Sequence, residues 1–342
     1  MKQHLNTLFL QTDGVFLRKQ GQTLAVHIER ELKARVPVHT IGGVVCLGRA
    51  TATSAALALC AENGVSVTFL TSTGRLLARV TGFTPGNVLL RRDQYRVADD
   101  EQRCAAIAGA MVATKIANSR TVLLRAARDH GDPDGALAQA CGRMAQSAES
   151  ALRAPDLDVL RGIEGEAARE YFSVVGRLVT LPEPHEFALV GRSRRPPRDR
   201  MNCVLSFLYA LLGHDARSAC EAAGLDPAVG FLHRDRPGRP SLALDLMEEL
   251  RSVLCDRLAL SMVNRKQLTA RDFDVLEGGA VRLTDRARRE VLVAYQKRKQ
   301  DEVTHAYLDE RVTLGLVVHL QARLLSRVLR GELDTYPAFV WR

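Results

Sequence analysis

Aromatic side chains are scarce in this chain: ten Phe, six Tyr and a single Trp make up 5% of 342 residues. A core of large rings is therefore excluded, and the interior has to be built from Leu, Val and Ala, a palette that leans towards helix. Long apolar runs are missing too. Nothing approaches the roughly 18 uncharged residues that a membrane span requires, and the amino-terminal MKQHLNTLFLQTDG is apolar over only a few positions. The expectation is a cytoplasmic (prokaryotic) protein with no membrane partner. The seven cysteines, at 46, 60, 104, 141, 203, 220 and 255, include no C-x-x-C pair and have mostly apolar neighbours, so they read as small buried hydrophobes in a reducing compartment. Phosphate-cradling glycine loops are also lacking: Gly42-Gly43 and Gly278-Gly279 are not followed by the lysine and serine that a nucleoside triphosphate demands. No H-E-x-x-H stretch marks a zinc peptidase.

What is present is length and positive charge. At 342 residues the chain is long enough for two domains. Lys and Arg number 48 against 39 Asp and Glu, a formal charge of +9 that suits a polyanionic partner or, more blandly, a mildly basic solvated surface. From Leu5 to Val80 short apolar runs alternate with Asp13-Gly14, Gln20-Gly21 and a turn at Ser72 to Gly74, the pattern of strands in hairpins, with one short helix from Thr53 to Glu62. Beyond Gly86 helical periods take over, the first from about Asp99 to Arg128. The interruption between Thr84 and Asp99 sets the expected boundary: a β-rich domain over residues 1–90 and a helical domain over 91–342. The fold class is α+β, an amino-terminal β-rich domain followed by a larger all-α metal-binding domain.

Three side chains resist a purely structural explanation. On a helical wheel over Asp156 to Val179, Glu164 falls among Leu157, Leu160, Ala168, Tyr171, Val175 and Leu178, whereas Glu166 and Glu170 point away from that stripe. A carboxylate amid apolar residues needs a cation, either a paired arginine or a metal. Residues 240–263 then read as a largely buried helix with Ser241 as N-cap, carrying Asp245 and Glu248 near one face. The loop before it, GFLHRDRPGRP, presents His233. A lone histidine is more often a satisfied core residue, but a stripe Glu, a loop His and acids opening a buried helix form a joint pattern. Carboxylates with one imidazole suit Mg²⁺ or Mn²⁺.

Positive charge brackets these positions. The segment 182–200 holds four prolines and five arginines, so it reads as an extended basic connection that includes Arg192, Arg194, Arg195 and Arg198. Arg234, Arg236 and Arg239 lie inside the His233 loop, and Arg265 and Lys266 follow the helix. Together with Arg323 on the last helix, these are the candidate DNA contacts, placed as phosphate clamps around metal ligands. His185, beside Glu186, reads as solvated or DNA-facing, and His305 and Arg327 as weaker DNA-contact candidates.

The segments IEGEAAREYF (163–172), NCVLSFLYALL (202–212), GLDPAVGFLHRDRPGRPSLALDLMEELR (224–251) and the tail from His319 carry a resemblance over the whole chain to the CRISPR-associated protein one family, the adaptation integrase. The closing YPAFVWR is most similar to type I-C members. The resemblance implies that Glu164, His233 and Glu248 are the catalytic metal ligands, with Asp245 in a supporting role. It further implies an amino-terminal dimerising β domain, a homodimer that joins a small ferredoxin-like second CRISPR-associated protein, and capture of double-stranded DNA. The 3′ hydroxyls of that spacer precursor would attack the CRISPR repeat by phosphodiester transesterification. A secondary nuclease activity on branched DNA shares the same site. The rival expectation is a non-catalytic DNA-binding scaffold in which the two glutamates merely pair with buried arginines.

Overall fold

A computed structural model of the chain describes residues 6–71, 76–82, 87–181, 183–189 and 191–341. The chain divides into two compact units, Met1–Gly86 and Asn87–Arg342.

The first unit is built on two four-stranded sheets. β1 (Thr7–Leu10), β5 (Gly43–Leu47), β7 (Ser66–Leu70) and β8 (Leu76–Val80) form one, in that order. β4 (Glu31–Pro37), β3 (Thr23–Ile28), β2 (Val15–Gln20) and β6 (Ala50–Ala52) form the other. Leu10, Leu17, Leu24, Val44, Val67 and Leu59 belong to its buried cluster. The hairpin expectation holds only in part. Gln20-Gly21 does turn β2 antiparallel onto β3, with Gly21 at φ 59, where a side chain would be strained. Asp13-Gly14, however, is not a hairpin turn, because β1 pairs in parallel with β5 while β2 pairs in parallel with β6. The Asp13 carboxylate instead accepts the Arg49 backbone N–H at 3.0 Å and fixes the crossing between the sheets. Helix α1 (Ser54–Glu62) is capped by Thr53, whose hydroxyl accepts from the Ala56 N–H at 3.2 Å. The turn at Ser72 to Gly74 lies outside the described residues.

The second unit is mostly helical: α2 (Val88–Ala98), α3 (Glu101–His130), α4 (Ala136–Leu152), α5 (Leu157–Val174) and α6 (Arg200–Ala222) come first. α7 (Ser241–Glu248), α8 (Arg257–Asn264), α9 (Asp285–Lys299) and α10 (Leu314–Leu329) follow. It is not all-α: Phe273–Val275 (β9) pairs antiparallel with Val281–Leu283 (β10), and Glu302–His305 (β11) with Glu310–Thr313 (β12). The polar stretch taken as a break before Asp99 is the helix α2. Its charged residues face out while Leu90, Gln94 and Val97 are buried, so a narrow apolar stripe suffices to hold it. The 30-residue α3 packs against α4 and α5 and is the axis of this unit.

The helix expected over 240–263 is not continuous. α7 ends at Glu248, a π-helical turn occupies Arg251–Asp256, and α8 continues. Such turns insert a residue into the helical ladder and recur at functional sites. Ser241 is not the N-cap: that position is Pro240, and the Ser241 hydroxyl donates to the Arg234 carbonyl at 3.3 Å. The seven cysteines are all buried and free. No described helix is long and apolar enough to cross a membrane.

Candidate active site

Four parts of the second unit meet at the candidate site. α3 brings Lys115, α5 brings Glu164, the loop before α7 brings His233, and α7 with the following π turn brings Asp245, Glu248 and Arg251.

The most constrained element is the loop at Gly230–His233. Its three successive backbone N–H groups converge on the Asp245 carboxylate: Phe231 at 2.6 Å and Leu232 at 3.0 Å on Oδ2, His233 at 3.1 Å on Oδ1. The His233 Nδ1 adds a fourth contact at 2.6 Å. Asp245 is fully buried, and these bonds satisfy a charge that would otherwise be costly there. Glycine is required at 230, because a Cβ would stand 2.7 Å from Asp245 Oδ2 and 2.8 Å from the Ser241 carbonyl carbon. Asp245 therefore holds the loop and the imidazole. With Nδ1 engaged, the ring is oriented so that Nε2 lies 3.9 Å from Glu248 Oε1.

Glu248 is almost sealed, at 1% exposure. Arg251 approaches its Oε1 at 2.8 Å and Lys115 Nζ its Oε2 at 2.8 Å. Burial works to raise its pKa, but Arg251, Lys115 and His233 outweigh it and hold the carboxyl at about 2, so Glu248 is an anion at neutral pH. Oε2 nevertheless lacks an aligned hydrogen bond, which leaves a buried acceptor with a lone pair to offer.

Glu164 differs from its wheel assignment. It is half-buried, with 28% of its side chain exposed, and its Oε1 contacts the Lys115 ammonium. The stripe of α5 buries Leu160, Ala167, Tyr171 and Val174, and Glu164 sits where that stripe gives way to a small cavity of about 50 Å³ that it shares with Lys115, Arg192 and Arg194. A second cavity, about 320 Å³, has His233, Arg161 and Arg234 in its wall. Open space thus borders both Glu164 and His233.

Sequence reasoning missed the network behind the site. Tyr171 and Tyr209 donate their hydroxyls to Asp256 at 3.0 and 2.7 Å. Burial pushes the Asp256 carboxyl up to about 6 against the pull of those two hydroxyls. The Arg251 guanidinium lies 5.1 Å from the Tyr209 ring centre, so the π turn ties Glu248 to this buried group. Lys115 was missed as well. It stands among Met111, Val112, Ala113 and Ile116 on α3, the same mismatch of charge and apolar surroundings that singled out Glu164.

The expected DNA contacts separate into two groups. Arg194, Arg195, Arg198, Arg234, Arg236, Arg265, Lys266 and Arg323 are exposed, and Arg239 is half-buried. Arg192 is not a free phosphate clamp. Its guanidinium contacts Asn202 Oδ1, donates to the Ser193 carbonyl at 3.1 Å and lies 4.9 Å from the Tyr209 ring centre, so the protein engages its Nη1 internally. Arg234 pairs with Asp158 at 2.6 Å on the surface. His185 is exposed, and Arg327 is exposed beside Glu332. His305 is corrected to a core residue: it is buried, with Nε2 2.9 Å from Gln321 Oε1. Among the described residues, no three His, Cys, Asp or Glu side chains stand together at metal-binding separations, and the Lys115 ammonium lies between Glu164 and Glu248. The donor set itself fits a hard divalent cation: two anionic carboxylates on different helices, already gathered around a positive charge, with an oriented imidazole beside them.

Residues 8–297 match the sequence profile of the family described as "CRISPR associated protein Cas1". A CRISPR-associated endonuclease Cas1 of Chlorobaculum tepidum is 51% identical over 344 residues, and one of Rhodospirillum rubrum is 52% identical over 348, each alignment covering 100% of both chains. A solved chain of a Cas6-RT-Cas1–Cas2 complex superposes on all of this chain with a TM-score of 0.82 at 27% identity, this chain covering 36% of that one. The chain therefore belongs to the CRISPR-associated Cas1 family.

Proposed function

We propose that Glu164, His233 and Glu248 hold Mg²⁺ or Mn²⁺ and that this centre inserts spacer DNA into a CRISPR array. The chain is a nuclease of the Cas1 family. The observation that carries the assignment is the convergence of two carboxylates from separate helices on one cation, with the oriented imidazole of His233 3.9 Å from one of them.

A bound divalent ion would neutralise a phosphate oxygen and favour the deprotonated form of the attacking hydroxyl. The chain's own residues supply the rest. Asp245 fixes the tautomer and direction of His233, leaving Nε2 as the available donor atom. Arg251 keeps Glu248 ionised and immobile inside the protein. Arg194, on the cavity beside Glu164, and Arg234, which pairs with Asp158 on the cavity beside His233, would neutralise phosphates on either side of the reacting one. Hydrolysis and integration differ in the nucleophile alone, water in one and a DNA 3′ hydroxyl in the other. Cutting of branched DNA is thus a secondary activity of the same centre. A Cas2 partner in an integration complex is supported by the solved Cas1–Cas2 assembly. That the β-rich unit forms a homodimer and that the partner is ferredoxin-like are parts of the same proposal.

The test is a strand-transfer assay with a short 3′-hydroxyl duplex, repeat DNA, Mg²⁺ or Mn²⁺, and the purified protein with and without its small partner. Glu164→Gln and His233→Ala should each lower integration by about 100-fold or more, at least the upper end of what loss of a partner behind a metal ligand costs. Their affinity for duplex DNA should change little, since the arginines supply it. Integration at the wild-type rate by either variant rejects the assignment.

A further inference from the structure

Lys115 is the one component of the site whose place conflicts with the proposed metal. Its ammonium touches Glu164 Oε1 and stands 2.8 Å from Glu248 Oε2, with 13% of its side chain exposed. A divalent ion bound by those two oxygens needs roughly 2.0–2.6 Å to each, which is the volume the ammonium fills. The two cations exclude each other by contact and by charge.

We propose that Lys115 is an exchangeable internal cation: it holds Glu164 and Glu248 in register in the metal-free protein and is displaced when the metal binds. This rests on the metal-centre assignment above. Three features favour exchange over a permanent ion pair. Lysine is a single point charge on a flexible stem, whereas arginine clamps a carboxylate with two parallel bonds. Only seven of the 48 basic residues are lysines, and one of them occupies this position while the permanent partner on the other oxygen of Glu248 is Arg251. Finally, Glu248 Oε2 receives no aligned hydrogen bond, so the directional bond lost when Lys115 leaves is the one to Glu164. The cavity beside Glu164 gives the side chain room to move. Metal affinity is then set by competition, and removing the ammonium should raise it.

The experiment measures Mn²⁺ binding by calorimetry or electron paramagnetic resonance at fixed pH for the full chain, Lys115→Met, Lys115→Gln and Glu164→Gln. It also measures amine labelling of Lys115 in the wild type by mass spectrometry, with and without Mn²⁺, which needs no variant to fold. The Lys115 variants should bind Mn²⁺ about tenfold more tightly or better, as expected when a competing charge at contact distance is removed. Labelling of Lys115 should rise several-fold with Mn²⁺ while that of the exposed Lys19 and Lys33 stays constant. Mn²⁺ binding that is lost in Glu164→Gln but unchanged or weakened in the Lys115 variants, with Lys115 labelling flat, overturns this proposal and leaves the metal centre standing. Failure of all four proteins to bind Mn²⁺ removes both.

Discussion

The imidazole Nδ1 of His233 lies 2.6 Å from Oδ1 of Asp245, a carboxylate that also gathers the backbone N–H groups of Phe231, Leu232 and His233. One buried anion therefore both shapes the loop and aims the ring. Asparagine has a single acceptor oxygen and cannot receive all four contacts. Asp245→Asn should lower Mn²⁺ affinity by about 10- to 100-fold, as loss of a partner behind a metal ligand does. It should also cost about 1–3 kcal/mol of stability through the unsatisfied N–H groups. Parallel Mn²⁺ titration and thermal unfolding check both parts; lost stability with unchanged affinity would restrict Asp245 to the fold.

Glu248 depends on Arg251 in a different way. The glutamate is sealed from solvent and Arg251 is the cation fixed to its Oε1 at 2.8 Å. Arg251→Met keeps the stem but strands the carboxylate, and removal of one partner from a buried pair costs about 3–5 kcal/mol. Arg251→Lys should lose less, because the charge survives. Urea unfolding without metal measures the difference. If the variant is as stable as the wild type, Lys115 alone neutralises the site.

Much of this was legible beforehand, and the misses have a common cause. Glu164 and Glu248 stood out because charge was set into apolar periods, a local pattern, whereas His233 rested on its place between them in the chain, ahead of a basic loop, and on the family resemblance. Asp245 was seen as an acid on a buried helix, but its four contacts come from a loop 12 to 14 residues away and leave no mark at its own position. Lys115 and Asp256 pair across 49 and 85 residues with Glu164 and Tyr171, so their partners could not be read from spacing. Strands β1 and β2 were found, yet their pairing was misjudged, since the choice between a hairpin and two parallel partners is made by residues more than 30 positions on. Arg192 shows the limit of composition: a basic run says where charge is, and Asn202 with Tyr209 decides that this member faces inward.

The residue next to Glu248 predicts a pH dependence of stability. Burial pushes the Glu249 carboxyl up to about 7, although Tyr336, the Phe339 N–H and Gln321 all donate to it and pull the other way. Its ordinary value is 4.5, so between those two values the folded protein binds a proton that the unfolded chain has released. Its contribution is therefore full below pH 4.5 and is lost as pH rises through about 7. Glu249→Gln, which cannot ionise, should flatten the fall in stability over that window, by an amount on the order of 3 kcal/mol at most. Unfolding free energies at pH 5 and pH 8 for both proteins decide it. Equal slopes would mean that the three donors keep Glu249 ionised throughout.

The basic segment before α6 yields a prediction that divides its arginines. Arg194, Arg195 and Arg198 are exposed, whereas the guanidinium of Arg192 is spent on Asn202, the Ser193 carbonyl and the Tyr209 ring. Each phosphate neutralised by a side chain contributes about 0.9 to the slope of log K against log salt for duplex DNA. If all three exposed arginines contact phosphates, changing them together to alanine should reduce that slope by about 3 with little effect on melting temperature. Arg192→Ala should do the reverse. It leaves Asn202 and Ser193 without this donor and Tyr209 with Arg251 alone against its ring, which lowers the melting temperature while the salt slope of the folded fraction stays close to that of the wild type. Duplex binding at four salt concentrations, with unfolding curves for the same samples, separates the two. A slope that drops by about 1 in a fully stable Arg192→Ala protein would return Arg192 to the DNA surface.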